Sequence, residues 1–146
     1  MQTCQLSVCL VPYGMHKHDT FNHVTATLTS LKTSVEFAKE QTSASVPLLE
    51  RVGIWIVCND ESPDMGLLKD AVVKSGWQAE LEKGWINLIA GQGNVGFAKA
   101  NNVAIFTAES QYHLVLNPDV LFHGQLIKCW PTVVTSATVG GHLHLA

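Results

Sequence analysis

Residues 91–120 read GQGNVGFAKANNVAIFTAESQYHLVLNPDV, and the architecture of the chain is written most plainly there. An apolar segment, Trp85 to Ala90, runs into a glycine turn, and the turn opens a helix over Phe97 to about Glu109. A second apolar strand, Tyr112 to Leu116, then leads to an acid, Asp119. Gly91, Gly93 and Gly96 can bring backbone N–H groups close to a phosphate without Cβ interference, and the helix adds the positive end of its dipole. Asp119 stands at the carboxyl edge of the predicted sheet, where open α/β folds bind their ligands. Loop and acid together point to a site for a phosphorylated ligand with a metal.

Upstream, Gln5 to Val11 reads as a first buried strand. Phe21, Val24, Leu28, Leu31, Val35 and Ala38 alternate steps of three and four, which puts one apolar stripe on a long helix that Asp19 or Thr20 can cap. Gln41 to Ser45 is polar and loop-like, and Pro47 blocks continuation of the helix. Gly53 to Cys58 is apolar throughout, as a parallel strand covered on both faces should be. Ser62 and Pro63 form a good N-cap and N1 pair, and Gly76 can close the next helix.

The order β-α-β-α-β-α-β predicts an α/β fold, a mostly parallel sheet with helices on both faces, in one domain over residues 1–146. Gln125 to Trp130 reads as a short helix stopped by Pro131. Thr132 to Ala146 is β-prone and ends without a charged or helical finish, so the expectation is a domain cut short.

Composition narrows the function. Only 14% of residues are charged, against a usual value of about 25%. Such a surface leaves room for an apolar face covered by another segment or by a second copy in a homo-oligomer. The net charge of −3, with no cluster of Lys or Arg, excludes nucleic acid as a sequence-independent partner. The amino terminus has no basic n-region, so no signal peptide is evident. Cys4, Cys9, Cys58 and Cys129 show no CxxC pair or zinc spacing and read as reduced thiols of a cytosolic protein.

Gly91-x-Gly93-x-x-Gly96 formally matches a dinucleotide fingerprint, a weak pattern that also describes a tight strand-to-helix turn with no ligand. Three further blocks occur in order: VCNDES (57–62), GNVGFAKANN (93–102) and LVLNPDV (114–120). Together they resemble the family-2 glycosyltransferases of the GT-A type, especially the rhamnosyltransferase-like branch of bacterial polysaccharide synthesis. In that branch a first strand ends in a Tyr-containing turn, here Pro12-Tyr13-Gly14. The resemblance covers about Leu6 to Val120 and implies a GT-A (Rossmann-like) sheet truncated before its acceptor half.

The resemblance also implies roles. Asn117-Pro118-Asp119 replaces the DxD motif, with Asp119 and Asn117 as oxygen ligands to Mg2+ or Mn2+. Asp60 is the expected partner of a uracil or thymine imide. The box reads Asn59-Asp60 with Glu61 where relatives have glycine, which leaves open whether Asn59 or Asp60 faces the base. Tyr13 is a candidate to stack on the base, or else a plain turn tyrosine. Gly93, Asn94, Gly96 and Phe97 are expected near the nucleotide-sugar, with Asn101 or Asn102 facing inward. Ser62 reads as a helix cap.

The activity implied by the resemblance is an inverting transfer of a sugar from a UDP- or dTDP-sugar donor to a glycan or lipid-linked acceptor. The setting implied is cytoplasmic, at the inner face of a membrane with which the protein associates peripherally. The catalytic base is expected beyond residue 146. A non-catalytic nucleotide-binding module is the alternative. An NAD-dependent oxidoreductase is disfavoured, because it gives no reason for Asn117. His16, His18 and His23, and His142 with His144, lack partners at zinc spacing and read as solvated side chains.

Overall fold

The computed structural model of the protein describes residues 4–41, 52–122 and 144–145. Its elements run β1 (Cys4–Leu10), α1 (His18–Gln41), β2 (Val52–Val57), α2 (Met65–Lys74), α3 (Gln78–Glu82), β3 (Ile86–Ile89), α4 (Phe97–Thr107), β4 (Ser110–Leu116) and β5 (His144–Leu145). The strands form one parallel sheet in the order β3-β2-β1-β4-β5. The α/β, Rossmann-like architecture expected from the sequence is therefore present.

Alternation along the strands divides the core. Leu6, Val8 and Leu10 of β1, with Ile54 and Ile56 of β2, pack beneath Val24, Leu28, Leu31 and Val35 of α1 and Leu68, Ala71 and Val72 of α2. Cys9 and Val11, with Trp55 and Val57, face Ala100 and Ala104 of α4 on the other side. A central strand covered on both faces must be apolar throughout, which explains why β2 is buried from end to end. Each fully buried Leu or Ile contributes about 1.5–3 kcal/mol, so the β1–β2 pair anchors the molecule.

Local signals explain most of the elements, with two corrections. α1 begins at His18, so Asp19 and Thr20 lie inside its first turn rather than capping it. α2 is capped by Asp64, whose Oδ1 accepts the Leu67 N–H at 3.1 Å, and Ser62 and Pro63 stand outside the helix. Gly76 does close α2, at a φ of 89° that favours glycine. α3 has no counterpart among the elements expected from the sequence. It is five residues long, buries none of them, and is tied to α1 by Lys32, whose Nζ donates to Glu80 Oε1 at 2.6 Å. The expected helix at Gln125–Trp130, the loop after Gln41 and Thr132–His142 lie outside the described residues.

Strand order positions the site. From β1 the chain crosses to β2 and β3 on one side, then returns through α4 to β4 on the other. The carboxyl ends of β1 and β4 are thus a topological switch point, where connections leave in opposite directions and open a crevice.

Candidate functional site

At that crevice lies a cleft of about 350 Å³. Val11 and Tyr13 line it from the end of β1, Thr20 and His23 from the start of α1, and Asn117, Pro118 and Asp119 from the end of β4. Two anticipated groups, the turn tyrosine and the Asn-Pro-Asp box, therefore meet although they are far apart in sequence. The box is held by α1. Thr27 Oγ1 donates to the Pro118 carbonyl at 2.9 Å, and Ser30 Oγ accepts the Phe122 N–H at 3.0 Å. Asn117 and Asp119 stay exposed at the rim, where solvated oxygens can exchange water for a ligand.

The turn after β1 is built by β2. Pro12 is buried, and its carbonyl accepts the Asn59 N–H at 2.9 Å. The buried Asp60 carboxylate accepts the Gly14 N–H through Oδ1 and the Met15 N–H, at 3.1 Å, through Oδ2. Gly14 has a φ of 78°, which a residue with a Cβ adopts only under strain. Asp60 and Gly14 thus shape one tight turn that leaves Tyr13 exposed beside the cleft. Burial pushes the neighbouring Cys58 thiol up to about 11; the Asp60 backbone N–H offsets part of that rise while the Asp60 carboxylate adds to it, and the neutral S–H points at Asp60 Oδ2 at 3.4 Å.

Asn59 faces the glycine turn instead. Its Nδ2 donates to Asn94 Oδ1 at 3.5 Å, and its Oδ1 accepts the Val95 N–H at the same distance. Asn94 Oδ1 also accepts the Gly96 N–H at 3.2 Å, and Gln92 Nε2 donates to the Cys58 carbonyl at 2.7 Å. Gly91, Gly93 and Gly96 have φ values of 102°, 71° and 85°, and a Cβ built at any of them would meet open space. The backbone conformation, not crowding by protein, is what these positions require. Phe97 is half-exposed at the first turn of α4. Asn101 is buried, with Nδ2 donating to the Phe97 carbonyl at 2.9 Å, while Asn102 faces outward.

The twelve anticipated residues therefore form two groups around the carboxyl edge of the sheet. Tyr13, Asn117 and Asp119 line the cleft; Asn59, Gly93, Asn94, Gly96, Phe97 and Asn101 gather at the glycine turn; Pro12, Gly14 and Asp60 join them. Thr20 and His23 are additions. His18, by contrast, bonds Asn22 on the surface, and His16 is exposed. The donor chemistry of Asp119 and Asn117 fits a hard divalent cation only in part, since two protein oxygens fall short of the roughly six such an ion takes. Among the described residues no group of three or more His, Cys, Asp or Glu side chains is placed to hold a metal. The remaining oxygens would have to come from ligand and water.

No family model and no curated protein matches the chain. Among solved structures it is similar to TarS of S. aureus, residues 1–349, with a TM-score of 0.57 and 19% identity over 92% of this chain. The match spans 33% of that chain, so this protein corresponds to about a third of it. At that identity the likeness speaks for the fold alone, a GT-A-like, Rossmann-like α/β sheet. No helix among the described residues is long and apolar enough to cross a membrane.

Proposed function

We propose that the chain binds a pyrimidine nucleotide-diphosphate sugar, a UDP- or dTDP-sugar, and forms the donor half of an inverting, family-2-like glycosyltransferase. One observation carries this reading: Tyr13, Asn117 and Asp119 share a single cleft at the switch point of a glycosyltransferase-like sheet. Its volume lies at the lower end of ligand pockets, roughly 300–1,000 Å³, and suits one nucleotide better than two.

In this reading the base stacks on exposed Tyr13, next to the turn that Asp60 holds, with Asn59 steadying the glycine turn beyond it. Thr27 and Ser30 fix the segment carrying Asn117 and Asp119, so those oxygens face the diphosphate without first having to be ordered. A Mg2+ or Mn2+ ion held by Asp119, Asn117 and the diphosphate itself would neutralise charge on the leaving group. The sugar would pass to a hydroxyl of a glycan or lipid-linked acceptor with inversion at the anomeric carbon. A cytoplasmic setting at the inner face of a membrane, and self-association, belong to the same proposal.

A second reading, nucleotide binding without catalysis, is favoured by one feature. Asp119 is the sole carboxylate lining the cleft among the described residues, which leaves none to act as acceptor base once Asp119 is committed to a cation. Amide chemical-shift mapping with UDP and Mg2+ tests the shared proposal of nucleotide binding. Shifts clustered at residues 13–14 and 117–119 support it, and shifts elsewhere, or none, contradict it.

A further inference from the structure

We propose that His23, with Thr20 one turn before it, is a phosphate-binding residue of the cleft and receives the diphosphate from the α1 side. The inference rests on the proposed nucleotide site and assigns it a contact from α1. Four observations lead to it. Thr20 and His23 line the same cleft as Asn117 and Asp119. His23 lies beside the buried stripe of α1, between Val24, which is wholly buried, and exposed Asn22, so its imidazole reaches the cleft without taking part in the core. Among the described residues no Lys or Arg lines the cleft, although the ligand proposed for it is an anion. Asp119 adds a negative charge to the same lining, which repels a diphosphate wherever a cation does not intervene.

A diphosphate entering here needs donors. The cleft offers the imidazole N–H of His23, the hydroxyls of Thr20 and Tyr13 and the amide of Asn117. Of these, Tyr13 is proposed to face the base and Asn117 the cation. That leaves Thr20 and His23 to meet the phosphate oxygens, side by side on one helix face at a spacing of three residues. Hydrogen bonds to charged oxygens are the stronger kind, so one imidazole donor is enough to be measured. The other histidines of this region do not compete, because His18 is engaged with Asn22 and neither it nor His16 lines the cleft.

The test compares the parent, His23→Ala and His23→Arg by titration with uridine, UDP and inorganic pyrophosphate, each with Mg2+. His23 is exposed on the helix surface, so both variants should keep the parent's circular dichroism and melting temperature. His23→Ala is expected to weaken UDP and pyrophosphate by roughly fivefold or more and leave uridine unchanged. His23→Arg, which restores a donor, should recover UDP and pyrophosphate affinity. Unchanged UDP binding in His23→Ala overturns the assignment while the nucleotide reading stands. An equal loss of uridine and UDP also overturns it, since it puts His23 against the nucleoside. If the parent binds pyrophosphate but neither uridine nor UDP, the nucleotide reading fails and the His23 contact is judged on pyrophosphate alone. A parent that binds none of the three overturns both.

Discussion

The carboxylate of Asp60, at the end of β2, accepts the backbone N–H of Gly14, at the end of β1. Its other oxygen takes the Met15 N–H at 3.1 Å, so one buried side chain closes the turn that presents Tyr13 to the cleft. Asp60→Ala would leave two backbone donors without an acceptor. The expected cost is about 2–4 kcal/mol. Urea denaturation checks this: the midpoint should fall clearly in Asp60→Ala and less in Asp60→Asn, which keeps one acceptor oxygen. An unchanged midpoint in Asp60→Ala would remove Asp60 from its turn-holding role.

Asp119 should behave oppositely. It is exposed at the end of β4, and no core side chain depends on it. Asp119→Asn is expected to leave the urea midpoint within about 0.5 kcal/mol of the parent, as surface changes usually do. Metal-dependent UDP binding should weaken by roughly tenfold, the equivalent of about 1.4 kcal/mol. Parallel Mn2+ and UDP titrations of the two proteins make the measurement, and equal affinities would rule out Asp119 as a cation ligand.

Gly96 tests the glycine turn. Its φ of 85° and ψ of 162° belong almost wholly to glycine, yet nothing lies where a Cβ would go. Gly96→Ala should therefore cost about 1–3 kcal/mol through backbone strain alone. Thermal melting reads this directly, and a melting temperature equal to the parent's would mean that the turn relaxes freely.

Burial raises the Cys9 thiol to about 12 and the Cys58 thiol to about 11, from 9.0. The folded state thus holds these protons more tightly than the unfolded chain does. Their contribution to stability is complete below pH 9.0 and declines as pH rises towards 11 to 12. Urea midpoints of the parent and of a Cys9→Ala, Cys58→Ala double variant, taken across that range, should show the steeper alkaline decline in the parent. Identical slopes would contradict it.

Much of the fold was legible because its signals are local. The apolar run of β2, the three-and-four spacing of α1 and the glycines before α4 each state their element within a short window. α3 escaped because five residues with no buried face carry no period. The cap of α2 went to Asp64 rather than Ser62 because the helix begins at Met65, two residues later than Pro63 suggested, so that Asp64 Oδ1 meets the Leu67 N–H.

The site was legible in part. Asp119 could be named from its strand end, since strand ends share the carboxyl edge of a parallel sheet, whereas Tyr13 and Asn117 were named by the family resemblance. The sequence located Asp60 but not its direction, which is set by β1 lying beside β2 so that the Gly14 N–H meets it. Thr20 and His23 had no local mark. Their place in the cleft comes from the packing of α1 against the segment after β4, through Thr27 and Pro118, and that contact is tertiary.

Everything proposed for this protein depends on the β1–β4 cleft taking a pyrimidine nucleotide diphosphate. Calorimetric titration of the protein with UDP, dTDP and NAD, each with Mg2+ or Mn2+, puts that to the proof. UDP or dTDP should bind, more strongly with the metal than without it, and NAD should bind negligibly. Tight NAD binding with no response to either pyrimidine nucleotide would contradict the assignment.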